Sequence, residues 1–289
     1  MSWPAIMASL AIVTLGGGLS VIVVLKRLAF IGQGVSHAAF GGVGIALVCG
    51  LTGATLASTV GQGTVIIAFS IAAALWIAAL SKRSAGGSDT AIGVVLAVSM
   101  AIGFILVQIA AERFEQAHAG HDHTLESMAH HEDSHHAMEE ILFGDVLSVK
   151  PGGAVVALLA TIVILSIAWS MRRKLIFWAF DEAVCDSFGV RTDRVQRGFL
   201  IMLALSIVVA MQMAGVVLAS AIFVLPGAAA LNLTDKLRPA FAVSITIALV
   251  GAIAGMVLGD AAGWPIGPCI VGVQGAIYAL SFVYGRVLK

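Results

Sequence analysis

The hydrophobic positions of this chain gather into long runs, and short polar stretches carrying lysine or arginine interrupt them at regular intervals. A run of about 20 apolar residues is long enough to cross a bilayer as a helix. The pattern therefore predicts an all-α polytopic membrane protein, a single transmembrane domain over residues 1–289 with eight or nine helices. The predicted spans are 5–25, 28–51, 60–80, 90–111, 153–171, 198–214, 215–232, 239–258 and 266–285.

Two of these runs meet at Ala214–Gly215 without a polar turn, so they form either two separate spans or a short re-entrant hairpin. Pro226 cannot donate a helical hydrogen bond and predicts a break or kink in the second run. Broken helices expose backbone carbonyls near the path of many transporters. Gly215 and Pro226 are therefore candidate gating residues, and a purely structural kink is the alternative.

The basic residues predict the orientation. Successive clusters are separated by two hydrophobic runs, so 14 of the 16 lysines and arginines can lie on one side, which is typical of the cytoplasmic face. The N-terminus is then outside and the C-terminus is cytoplasmic. The 14 are Lys26, Arg27, Lys82, Arg83, Arg172, Arg173, Lys174, Arg191, Arg194, Arg197, Lys236, Arg238, Arg286 and Lys289.

Composition excludes several classes of function. With 60% hydrophobic residues, 11% charged residues and zero formal net charge, the chain offers no basic face for nucleic acid. It contains neither a Walker G-x-x-x-x-G-K-[ST] motif nor H-E-x-x-H, so we expect no enzyme activity and no ATP hydrolysis of its own. The three cysteines are widely scattered and read as small residues of membrane helices.

The polar stretch at 112–150 carries seven of the eight histidines, together with nine acidic and two basic residues. Imidazole and carboxylate are ligands that suit zinc and related divalent ions. The stretch is predicted to be an extracytoplasmic acidic loop that captures metal; a disordered acidic tether is the alternative. Its histidines are His118, His121, His123, His130, His131, His135 and His136.

One titratable side chain, His37, lies well inside a predicted span, and Gln33 precedes it by one helical turn. Such a histidine either handles a substrate or is hydrogen-bonded to a neighbour. No aspartate or glutamate lies in the middle of a span, which disfavours proton- or sodium-coupled transport. A separate ATPase is the economical energy source, and a stand-alone secondary carrier or channel is the alternative from another class.

Four stretches resemble the permeases of bacterial ABC importers for zinc, manganese and iron. They are KRLAFIGQGVSHAAFGGVGIAL (26–47), LFGDVLSV (142–149), FDEAVCDSFGVRTDRV (180–195) and AGVVLASAIFVLPGAAALNLT (214–234), which occur in the family's order. The last resembles a G-x-x-L-x-x-A-x-x-x-x-P-x-x-x-A signature and carries it on Gly215, Leu218, Ala221, Pro226 and Ala230.

This resemblance implies a permease in the bacterial cytoplasmic membrane, working as a homodimer with two ATPase subunits and an extracytoplasmic metal-binding protein. In the family, an aspartate and a histidine four residues apart handle the metal, whereas this chain has Gln33 and His37. A neutral amide is a weaker ligand for hard Mn²⁺ than a carboxylate, while imidazole suits Zn²⁺. We therefore expect zinc as the transported ion, with manganese or iron as the alternative, and no permanently bound cofactor.

The resemblance also implies a coupling segment at 175–197, whose family-like residues are Asp181, Glu182, Ala183 and Gly189. The stretch is polar, flanked by basic residues and short enough for a helix along the membrane surface. Such a helix could dock in a groove of the ATPase. An ordinary connecting loop is the alternative.

Overall fold

The structure is a computed structural model that describes residues 3–51, 56–81, 87–118, 151–180, 185, 189 and 191–287. In these ranges the regular elements are all helical, which confirms the predicted all-α fold class. The helices are α1 (Trp3–Leu25), α2 (Ile31–Val48), α3 (Leu56–Ser81), α4 (Gly87–His118), α5 (Pro151–Phe180), α6 (Thr192–Ile222), α7 (Leu225–Leu233), α8 (Leu237–Ala262) and α9 (Ile266–Val287).

Helix α1 lies at the centre of the bundle and packs against α5, α6, α7 and α8. Helix α5 is the least buried of the spanning helices. Over residues 151–169 most of its exposed side chains are apolar, among them Val156, Leu159 and Val163, which are more than half exposed. A helix face of this kind meets lipid, so α5 lies on the perimeter of the bundle.

Helix α6 begins beside the connection between α1 and α2. The rings of Phe199 in α6 and Trp178 in α5 are 5.7 Å apart, and the Nζ of Lys26 lies 4.4 Å from the Trp178 ring centroid. Further along α6, Val208 packs with Ala39 in the middle of α2. The first part of α6 therefore runs in the same direction as α2, away from Lys26.

At Gly215 the chain turns back. This glycine has φ 73° and ψ 169°, inside the long helical segment. Beyond it, Ser220 lies against Gly32 at the start of α2, and Gly227 lies against the Ser20 backbone near the end of α1. The stretch 192–233 thus makes an outward and a return pass. Among the described residues, eight helical segments are long and apolar enough to span a membrane, and the segment at 192–233 is one of them.

The predicted break near Pro226 is confirmed. The helical pattern stops at Phe223 and Val224, and Pro226 is the second residue of α7. Proline is tolerated in the first turn of a helix because the N–H that it lacks would have no helical partner there. Pro226 therefore starts the last part of the return pass instead of bending its interior.

Helix α5 is longer than the sequence predicted. It continues from 171 to Phe180, because Leu175 and Trp178 are buried in the core while Arg172, Arg173 and Lys174 stay exposed. This last part is amphipathic, so it has no long apolar run to reveal it. The predicted coupling segment consequently shares its first six residues with α5 and its last six with α6.

We predict that Gly215→Ala destabilises the fold, because φ and ψ at this position are open to glycine but strained for residues with a Cβ. The expected loss is about 1–3 kcal/mol, seen as a lower unfolding temperature of the purified protein in detergent. Gly93→Ala in α4 is the control, since its Cβ would meet no atom within 4 Å. Equal unfolding temperatures for the two variants would contradict a strained reversal at Gly215.

Candidate metal path

Gln33 and His37 lie one turn apart on α2, about 6 Å along the helix axis. The Gln33 side chain is exposed in the protomer and that of His37 is half-buried. Phe30, just before the helix, is 58% exposed on the same side. The structure thus places both predicted residues on one uncovered face of a membrane-spanning helix.

The neighbours of α2 explain why this face is open. On one side of Gln33, a Cβ at Gly32 would lie 3.3 Å from the Ser220 Cα of α6. On the other side, a Cβ at Gly34 would lie 2.8 Å from Ile92 of α4. Gln33 points between these two contacts, away from both neighbouring helices. Within the described residues, neither Gln33 nor His37 has a hydrogen-bonding partner on the protein.

Close helix packing holds this face in position. A Cβ at Gly41 would lie 3.1 Å from the Ser99 carbonyl oxygen, and one at Gly44 would lie 3.0 Å from the Gly103 carbonyl oxygen. Glycines at such spacing let the backbones of membrane helices approach closely. The close approach therefore fixes α2 against α4 over the turns that follow His37.

Gln212 is a polar residue that the sequence reasoning missed. It is exposed on α6, three residues before the Gly215 reversal, and its neighbour Met211 packs against the cluster of Ala39, Ile66 and Val208. This places Gln212 near the turn of α2 that follows His37. Gln212 is not titratable, so it was not among the predicted candidates. Its amide lies close to a helix break in an apolar run, and this pattern could have indicated it.

The described residues bring together no group of three or more His, Cys, Asp or Glu side chains that could hold a metal ion. His118 is the last residue of α4, and the histidines predicted to capture metal beyond it lie outside the described residues. A single protomer therefore offers one imidazole and nearby amides on the face of α2. This set is incomplete for a metal that prefers four ligands.

The predicted coupling residues Asp181, Glu182 and Ala183 also lie outside the described residues. Gly189 is exposed with φ 73°, a left-handed conformation that suits glycine. Cys185, between them, is fully buried and belongs to the main hydrophobic core, together with Trp178 of α5. Cys185 is thus part of the packed bundle.

A tight turn joins this core to α2. Lys26 lies over the Trp178 ring, and the next residue, Arg27, has φ 55°, which is strained for a residue with a side chain. Leu28 and Ile31 then enter the same buried cluster. The end of α5 and the first turn of α2 therefore share one continuous packing unit.

Eight membrane-length apolar helices in the described ranges, one of them reversing at Gly215, define a polytopic membrane protein. The chain belongs to the ABC 3 transport family, whose sequence model matches residues 1–285. The predicted family resemblance is therefore confirmed.

Curated relatives match almost the whole chain. It is 25% identical over 280 residues to the manganese transport system membrane protein MntC of Listeria monocytogenes, which covers 97% of this chain and 89% of the relative. It is 26% identical over 284 residues to a probable iron transport system membrane protein of Haemophilus influenzae. That alignment covers 98% of this chain and 93% of the relative.

A solved structure shares the fold. A chain of PsaBC from Streptococcus pneumoniae, solved in complex with a Fab, superposes with a TM-score of 0.76 at 23% identity. The match covers 96% of this chain and 89% of that one. A putative metal-chelate type ABC transporter in an inward-facing conformation is more distant, with a TM-score of 0.58 at 17% identity.

We predict that the open face of α2 meets water in the membrane-embedded protein. In a Cys49→Ser background, His37→Cys should react with a water-soluble methanethiosulfonate reagent, because the reactive thiolate forms only where water reaches it. Ser36→Cys is the matched control at the same depth, since Ser36 is only 1% exposed. Labelling of His37→Cys by a lipophilic maleimide alone would place this face against lipid and contradict the prediction.

Proposed function

We propose that this chain is the permease subunit of an ATP-driven importer of divalent metal, with zinc as its substrate. The observation that carries the proposal is the open face of α2, where Gln33 and His37 lie uncovered inside a membrane span. Polar side chains within the bilayer are rare and face either protein or a water-filled cavity. We propose that this face lines a route for a hydrated or partly hydrated cation.

A second copy of the chain is the simplest cover for this face. In a homodimer with the α2 helices facing each other, two imidazoles and two amides would point toward one axis. That gives four neutral ligands, the number that zinc prefers in tetrahedral sites. Gln212, beside the Gly215 reversal, would lie further along the same route. Pro226 and Gly215 would then serve as the points at which the route opens and closes.

The choice of zinc rests on the chemistry of the ligands. Imidazole binds zinc well, and the amide of Gln33 stands where the family resemblance expects a carboxylate. The named relatives transport manganese or iron, so those ions are the alternative substrates. The metal is cargo in either case, and the proposal includes no permanently bound cofactor.

The histidine-rich stretch at 112–150 would gather zinc outside the membrane. Its histidines are too many and too irregularly spaced for one closed tetrahedral site, so several weak sites fit its sequence better. Imidazole must be deprotonated to bind metal, so capture by these sites would weaken as the pH falls through about 6.5. In this proposal the stretch raises the local zinc concentration, and the α2 face carries the ion.

The ATPase would act on the segment at 175–197. Cys185 anchors this segment in the core and Gly189 is exposed, as a docking element fixed at one side requires. Asp181, Glu182 and Ala183 would complete the docking element for one of two ATPase subunits. Movement there would reach α2 through the packing unit of Trp178 and Lys26. An extracytoplasmic binding protein would deliver the metal on the other side.

Reconstitution into liposomes tests this function. The chain together with its ATPase and binding protein should accumulate zinc when ATP is supplied on the ATPase side, because the permease has no ATP-binding motif of its own. The chain alone should neither hydrolyse ATP nor accumulate zinc. A catalytically inactive ATPase subunit is the control. Robust uptake by the chain alone under a proton or sodium gradient would instead establish the secondary-carrier alternative.

A further inference from the structure

A groove of about 690 Å³ opens between the end of α5 and the start of α8. Three basic residues line it, Arg173, Lys236 and Arg238. Its apolar walls include Phe177, Phe180 and Pro239. The groove therefore combines a cationic rim with an apolar interior, and its position on α5 and α8 separates it from the open face of α2.

The two arginines of the rim have no acidic partner among the described residues. Neither Arg173 nor Arg238 makes an ion pair within the ranges that the structure describes, and both side chains are exposed. Asp235 precedes Lys236 in the chain but does not line the groove. Two guanidinium groups are well suited to phosphate, since each can donate two parallel hydrogen bonds to its oxygens.

The groove is continuous with the lipid-facing surface of α5. On the side of α5 that carries Arg173, the exposed apolar side chains of Ile162 and Trp169, 53% and 70% exposed, lead toward it. The Arg172 guanidinium lies 4.0 Å from the Trp169 ring centroid. Exposed tryptophan beside arginine is typical of the boundary between hydrocarbon and headgroups. One turn further, the groove lies at headgroup depth.

We propose that this groove binds the headgroup of an anionic phospholipid from the adjoining leaflet. Its phosphate would lie between Arg173 and Arg238, with Lys236 adding a third positive charge. The first carbons of its acyl chains would lie along Phe177 and Phe180, the latter 67% exposed. Basic pockets between transmembrane helices commonly hold anionic lipid in this way. The lipid would fasten the end of α5, from which the coupling segment departs.

The full chain, purified and placed in phosphatidylcholine nanodiscs, provides the test. A small fraction of spin-labelled phosphatidylglycerol or spin-labelled phosphatidylcholine is added, and the motionally restricted fraction of each is measured. Wild-type protein should prefer phosphatidylglycerol. In the double variant Arg173→Gln, Arg238→Gln, the ratio of restricted phosphatidylglycerol to restricted phosphatidylcholine should fall by roughly twenty-fivefold. Each basic residue near the surface contributes about fivefold to this ratio.

Two controls separate charge at the groove from charge in general. Lys174→Gln with Arg194→Gln removes two exposed positive charges that do not line the groove, and should leave the preference intact. The double variant Arg173→Lys, Arg238→Lys keeps the positive charge and should retain most of the preference for phosphatidylglycerol. Retention of the preference in Arg173→Gln, Arg238→Gln would overturn the assignment, as would equal restriction of the two lipids by wild-type protein.

Two further arms distinguish other occupants. Inorganic phosphate at the same concentration as the lipid should not displace spin-labelled phosphatidylglycerol, because the acyl chains contribute to binding. Displacement would show a phosphate site instead. Binding of the ATPase subunits should also leave the restricted lipid in place. Its loss on assembly would identify the groove as a protein-docking surface and overturn the lipid proposal.

Discussion

Hydrocarbon cannot solvate the amide and imidazole that α2 carries on its open face. This constraint determines what must lie beside α2 in the membrane. Gln33 is exposed and His37 half-buried within a membrane span, and among the described residues neither has a hydrogen-bonding partner. Such groups require protein, water or a cation beside them. In the proposed function, a second protomer and a metal route together meet that requirement. They connect the transport family of this chain to two particular side chains.

The rest of the bundle fixes where this face lies. Glycines let α2 approach α4 at backbone distance, and the reversal at Gly215 brings Ser220 back against Gly32. A single side chain larger than glycine at these contacts would displace α2 relative to its neighbours. The same helix begins at the packing unit of Trp178 and Lys26, beside the buried Cys185. In the proposed function, movement of the segment at 175–197 would reach the α2 face through this shared packing.

Much of this architecture could be predicted from the sequence, because membrane spans need long apolar runs and their ends carry basic residues. The meeting of two runs at Ala214–Gly215 indicated either two separate spans or a short re-entrant hairpin, and the structure shows an outward and a return pass. The end of α5 could not be predicted, since its amphipathic extension to Phe180 depends on tertiary burial of Trp178. Gln212 was missed because only titratable groups were considered inside the spans, although an amide near a helix break could have indicated it. Residues 119–150 of the histidine-rich stretch and most of the coupling residues lie outside the described residues, so their roles stay predictions.

The most direct measurement is the ratio of zinc to manganese uptake by the assembled importer in liposomes, for wild-type protein and for Gln33→Asp. A carboxylate beside His37 adds negative charge and a hard oxygen ligand, so the preference should move toward manganese by about tenfold, equivalent to about 1.4 kcal/mol. Gln108→Asp, the same change at an exposed glutamine of α4, should leave the ratio unchanged. Damage to folding would lower both rates together and would not mimic a change in their ratio. An unchanged ratio in Gln33→Asp, or an equal shift in Gln108→Asp, would contradict a metal route along α2.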